Sequence, residues 1–199
     1  MGKLWQRLVG FLRRDELPTD ARAGRVVAVI HCVLNQNVRD VGAATLPDAN
    51  WALLDLCRSH QVAILQMPCP EMVYLGLGRE RPAGCGLRAM LNTDGGRRCC
   101  RQLAEQVAEQ IGDHLRHGHE VLAVLGGNRE SPGCAVHGDE GLAPESGAFM
   151  RALAESLAGR GIRLPFHPLR DAEPERLAED LAWVARVFQS SASPSGKNS

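Results

Sequence analysis

The chain has little that announces a ligand in a short motif. None of its seven cysteines belongs to a C-x-x-C pair, and their number is odd, so neither a zinc ribbon nor a disulfide framework is written into it. Neither G-x-G-x-x-G nor G-x-x-x-x-G-K-[ST] occurs, and Leu125-Gly126-Gly127-Asn128, although glycine-rich, has neither spacing, so phosphate cradling is not expected. Net charge is also missing. Lysine plus arginine and aspartate plus glutamate both total 23, which gives no electrostatic case for nucleic acid and favours a small uncharged ligand. No apolar run approaches the roughly 20 residues that a bilayer crossing needs. Residues 3–14 are amphipathic and basic, with Leu4, Trp5, Leu8, Val9, Phe11 and Leu12 among Lys3, Arg7, Arg13 and Arg14. Arginine interrupts this segment and no small-residue cleavage site follows, so it is not a secretory signal. A short helix laid on the domain is expected there, with weak contact to a membrane surface or a partner as the other reading. Thiols without a secretory route place the chain in the reducing cytoplasm.

What is present alternates between strand and helix patterns. A length of 199 residues suits one domain, expected over 25–189, with a helix and linker before it (1–24) and a Ser-rich, disordered tail after it (190–199). Strands are predicted over 26–30, 62–67, 121–125 and 162–166. Helices are predicted to open at Pro47, near Cys100 and at Pro144, with a last one striped by Leu177, Leu181, Val184 and Phe188. A βαβαβαβα order implies a single α/β domain of the Rossmann-like kind, a mostly parallel four-stranded sheet with helices on both faces. The stretch 68–96 is rich in Gly, Pro and Arg, and its length marks it as functional or mobile.

Three cysteines recur just past the carboxyl ends of strands: Cys32 in His-Cys-Val-Leu-Asn-Gln-Asn, Cys69 in Met-Pro-Cys-Pro-Glu, and Cys134 in Ser-Pro-Gly-Cys. Ligands of open α/β sheets bind at that edge, so three loops far apart in sequence can deliver their thiols to one place. Three thiolates can hold three corners of a 4Fe-4S cluster and leave one iron open as a Lewis acid; three ligands and an open position is equally the logic of catalytic zinc.

The three motifs, in this order and at these strand ends, resemble those of the thiouracil desulfurase family, also called TudS-like or DUF523, and most closely its TudS-related desulfidase branch. The resemblance covers roughly residues 26–170. It implies a 4Fe-4S cluster on Cys32, Cys69 and Cys134 with one iron not bound by protein. It implies also a small thiolated substrate whose C=S becomes C=O with release of hydrogen sulfide. Glu71 matches the acid of the family's Cys-Pro-Glu, Ser131 its first motif serine, and Arg39 a basic residue shortly after the first cysteine. Glu71 and Ser131 are thus the expected catalytic groups, and Asn35 and Arg39 the expected substrate contacts. Ser-Pro-Gly-Cys-Ala stands where the family has Ser-Pro-Ser-Cys-Gly, and His31-Cys32 with Asn35 replaces Ala-Cys-Leu-Leu-Gly, so thiouracil itself does not follow from the match.

Plainer readings stand beside these. Any one cysteine is commonly a small buried hydrophobe, as Cys57 is expected to be on a helix face with Trp51 and Leu54. Glu71 suits a helix N-terminus, Ser131 a turn, and Arg39 a solvated surface. Cys85, Cys99 and Cys100 suit packing or exposure better than zinc. His114, His117 and His119 suit a helix C-terminus. Two other functions fit the same residues: a non-catalytic cluster-binding sensor or sulfur-transfer domain, and a metal-free enzyme with Cys134 or Cys32 as nucleophile.

Overall fold

Branched and aliphatic runs form the sheet. The computed structural model describes residues 20–138 and 142–190; the amphipathic segment 3–14 and residues 191–199 lie outside them. The strands are β1 (Arg25–Ile30), β2 (Ala63–Met67), β3 (Glu120–Gly126) and β4 (Phe166–Pro168). All are parallel, in the order β2-β1-β3-β4. Ile30 lies opposite Met67, Val29 opposite Leu125, and Gly126 opposite Pro168. Successive side chains of β1 and β3 are buried on both sides of the pleat, as strands covered on two faces require.

Seven helices are seen among the described residues: α1 (His31–Leu34), α2 (Trp51–Ser59), α3 (Pro70–Leu75), α4 (Leu87–Leu91), α5 (Asp94–Arg116), α6 (Ala148–Gly159) and α7 (Pro174–Ser190). The long helix α5 starts where Thr93 accepts the Gly96 amide on its hydroxyl at 3.1 Å, and it carries Asp94 in its first turn and His114 and Arg116 in its last. Its buried stripe is Cys100, Ala104, Val107, Ala108 and Ile111. That stripe packs with α6, which turns Phe149, Met150, Leu153 and Leu157 inward. Helix α2 packs against α7, whose inward residues include Val184 and Phe188. Each large apolar side chain buried this way is worth about 1.5–3 kcal/mol. No helix of the described residues is long and apolar enough to cross a membrane.

Several boundaries differ from the sequence expectation. The helix expected from Pro47 begins at Trp51, because Asn50 accepts the Leu53 amide at 3.1 Å and supplies the cap. Trp51 is exposed and donates its indole N–H to Asp48, so Leu53 and Cys57, not Trp51, form the buried face. The segment 68–96 is not wholly irregular: it contains α3 and α4, and α5 starts at Asp94 rather than near Cys100. Pro144 precedes α6 by several residues, with Gly147 as its cap. The fourth strand is short and displaced to Phe166–Pro168. Helix α7 runs through Ser190, the first residue assigned to the tail.

The strand order places the site. The chain steps outward from β1 to β2 and returns across the sheet to β3, so the loops after β1 and β3 part in opposite directions. A crevice opens between such loops at the carboxyl edge.

Candidate functional site

Each strand-end loop holds its cysteine by a different local device. Cys32 sits in α1, one helical turn that follows β1 directly and closes with the Asn35 amide donating to the His31 carbonyl at 2.9 Å. The expected loop is therefore a turn of helix at this point. Cys69 is the cap residue of α3, whose first position is Pro70, a residue preset for a helix start. Cys134 lies in a strap tied to the end of β3 by a parallel bridge between Gly127 and Ala135. The strap turns where Ser131 Oγ accepts the Cys134 amide at 3.1 Å.

These devices bring the three thiols to the wall of one cavity of about 500 Å³, together with Glu71, Ser131, Arg39, Arg79 and Asn128. Cys32, Cys69 and Cys134 are 9%, 5% and 4% exposed. The nearness of two of them shows at Gly127, where an added Cβ would stand 2.8 Å from Cys134 Sγ and 3.8 Å from Cys32 Sγ. Glycine is required there because the sulfurs occupy the space of a side chain.

The neighbouring Cys134 thiol and the Arg39 guanidinium hold the Cys32 thiol below its ordinary value against the push of burial. The neighbouring Cys32, together with burial, raises Cys134. Burial and the Glu71 charge push Cys69 up to about 11.

Glu71 and Ser131, expected to act together, touch. Ser131 donates its hydroxyl to Glu71 Oε1 at 3.0 Å, and the Gly133 amide donates to the same oxygen at 3.1 Å. Ser131 Oγ also lies 3.1 Å from Cys134 Sγ. Gly133 permits this approach, since a Cβ there would meet Pro70 Cγ at 2.5 Å and Glu71 Oε1 at 3.1 Å.

Of the two expected substrate contacts, Arg39 lines the cavity and Asn35 does not. Arg39 is neither solvated nor a free fork for substrate: its Nη2 donates to both Asp171 oxygens at 2.8 and 2.7 Å, its Nη1 donates to the Ala43 carbonyl, and its Nη2 lies 3.9 Å from Cys32 Sγ. Asn35 is not a cavity-lining residue; its Oδ1 accepts the Asn37 amide and caps the 3₁₀ turn Gln36–Val38. Sequence reasoning missed Asp171, which is buried and also receives Gln36 Nε2 and Asn128 Nδ2 at 2.9 Å, tying the loops after β1, β3 and β4 together. It missed Arg79, whose Nη2 lies 3.6 Å from Cys69 Sγ. Both belong to segments without periodic pattern, and the arginine richness of 68–96 was the one available sign.

Among the described residues no group of three or more His, Cys, Asp or Glu side chains is spaced to hold a single metal ion, the three strand-end cysteines included. Cys85 is exposed and Cys99 half-buried, while Cys100 is packed in the core.

Fold and cavity together define a class: a doubly wound α/β domain with a thiol-lined crevice at its switch point. Comparison with known proteins gives one relative, a protein of Methanocaldococcus jannaschii described as uncharacterized, 25% identical over 121 residues, which are 61% of this chain and 74% of that protein. No protein-family model matches the chain, and no solved structure matches it.

Proposed function

We propose that this chain is a 4Fe-4S-dependent desulfidase that hydrolyses C=S to C=O in a small thiolated compound and releases hydrogen sulfide. The observation that carries the reading is the convergence of three buried thiols, from three strand-end loops, on one cavity that also presents a carboxylate. The donor set fits the group: soft thiolates are the ligands such clusters take, and the Arg79 guanidinium beside Cys69 offsets the negative charge that ionised thiols bring into a buried site. When bound on three cysteines, the cluster supplies an open iron with affinity for a thiocarbonyl sulfur.

The chain's own residues supply the rest. Ser131 and the Gly133 amide fix Glu71 Oε1, which leaves Oε2 as the atom to take a proton from water and return it to the departing sulfur. Asp171 anchors Arg39, so this arginine orients Cys32 and its loop instead of gripping substrate. The cavity is of a size that encloses a compound such as a pyrimidine-like ring. Glu71 and Ser131 on its wall favour an enzyme over a sensor. All seven cysteines are free of disulfides, which suits a reducing cytoplasm.

Anaerobic purification with iron and sulfide counting, followed by hydrogen sulfide detection across a panel of thiolated bases, tests the reading. Iron with stoichiometric sulfide and release from at least one compound are expected. A chain without iron overturns the cluster, and iron without release overturns the catalysis.

A further inference from the structure

Arg79 is 2% exposed and the bulkiest of the fully buried side chains. Its donors go to the carbonyls of Gly76, at 2.9 Å, Leu77, at 3.2 Å, and Val38, and to Cys69 Sγ at 3.6 Å. Among the described residues no carboxylate forms an ion pair with it, and its Nε is buried without a hydrogen-bond partner. The other arginine at the thiols is built differently: Arg39 is neutralised by Asp171, with side chains 7% and 0% exposed. A guanidinium buried without a countercharge is costly, by several kcal/mol even after relaxation, so a fold that keeps one is completed by an anion. The one side-chain atom its donors reach among the described residues is the Cys69 sulfur, where an anionic group held by that cysteine would sit.

We infer that Arg79 is the charge-balancing residue of the site: its unneutralised guanidinium, placed against Cys69 Sγ, sets the retention and reduction potential of the anionic cluster, whereas the Arg39–Asp171 pair contributes position and no net charge. The inference rests on the cluster assignment above and deepens it. Carbonyl clasping accounts for three of the contacts and makes Arg79 also the fastener of the 76–79 turn, where its own φ is +52°. The sulfur contact and the missing acid are what a fastener does not need. Removing one full positive charge beside the sulfurs makes adding an electron harder, so the potential should fall.

The test uses the full chain, anaerobically reconstituted with iron and sulfide. In Arg79→Gln the midpoint potential, read by a dye-mediated titration of the cluster's visible and paramagnetic signals, is expected to fall, and iron loss to a chelator to run about tenfold faster, the scale of a hydrogen bond to a charged group. Arg79→Lys keeps the charge and loses the fork, so it should keep the potential within error while melting earlier. Arg39→Gln paired with Asp171→Asn, neutral for neutral, should leave the potential in place. Should Arg79→Gln not fold, Arg79→Lys decides: an unmoved potential supports the inference, and a fall overturns it. A loaded Arg79→Gln with the wild-type potential and chelation rate overturns it while leaving the cluster assignment standing; a wild-type chain that takes up no iron overturns both.

Discussion

Ser131 and Glu71, sixty positions apart in sequence, are joined by one hydrogen bond of 3.0 Å, and the serine oxygen accepts the Cys134 amide in the same turn. A hydroxyl has one hydrogen, and here the carboxylate takes it. The carboxylate is thereby locked to the strap that carries a thiol, and any movement of Glu71 is felt at Cys134.

Glu71→Gln keeps an oxygen to accept from Ser131 and Gly133 and loses only the proton-taking atom. Its visible cluster absorbance should match wild type, while hydrogen sulfide release should drop by about 10²–10⁴-fold, the usual worth of a general acid–base group. Full activity in that variant would make the carboxylate structural.

Cys69→Ser should lose iron and activity together. Cys57→Ser is the contrast: Cys57 is buried in the core away from the cavity, so its hydroxyl replacement should cost about 1–3 kcal/mol of stability as an unpaired polar group and leave iron per chain unchanged. Iron counting on both variants separates ligand from filler, and a Cys69→Ser protein that keeps its iron ends the ligand assignment.

Gly127→Ala puts a methyl group 2.8 Å from Cys134 Sγ. Overpacking of this kind costs about 1–3 kcal/mol. The variant should retain its helical circular dichroism, melt earlier and hold little iron after anaerobic reconstitution, because the displaced sulfur is one the site requires. Normal iron content would mean the strap can yield.

Asp180 gives the clearest pH dependence outside the site. Burial alone would push its carboxyl up, but His167 Nε2, 3.2 Å away, and the Arg170 guanidinium outweigh burial and hold it below its ordinary 3.8. The folded protein therefore releases this proton more readily than the unfolded chain. The stabilisation is complete above 3.8 and is lost as pH falls through the lower folded value. Asp180→Asn should cost about 3 kcal/mol near neutrality, as losing one partner of a buried pair does, and the penalty should shrink in melts taken at progressively lower pH below that point. A penalty independent of pH would assign the loss to packing.

The first three strands and the three cysteine loops were legible because their signals are local: β-branched or leucine-rich runs of strand length, each followed by a break. The all-parallel sheet followed from alternation alone. Where a boundary depended on one capping hydrogen bond the sequence misled, since Pro47 reads as a helix start and Asn50 provides it. Trp51 was placed inward by periodicity, yet Asp48 offers its indole N–H a partner at the surface. The resemblance implies Asn35 and Arg39 as substrate contacts; Asn35 Oδ1 instead accepts an amide of its own turn, and Arg39, on the cavity wall, is already bonded to Asp171, a residue 132 positions away. Arg79 was invisible for the same reason: its partners are carbonyls and a sulfur, which no residue pattern advertises.

The sheet order also fixes the sequence in which the thiols would part. Cys32 and Cys134 follow β1 and β3, neighbours at the centre of the sheet, while Cys69 follows β2, an outer strand paired on one side only and half open to solvent. Opening free energies are lowest at such margins. A fluctuation that frays β2 would carry Cys69 away and leave Cys32 and Cys134 beside Gly127, and Arg79, bonded to the Val38 carbonyl and in contact with Cys69 Sγ, is the side chain that ties this outer loop to the loop after β1.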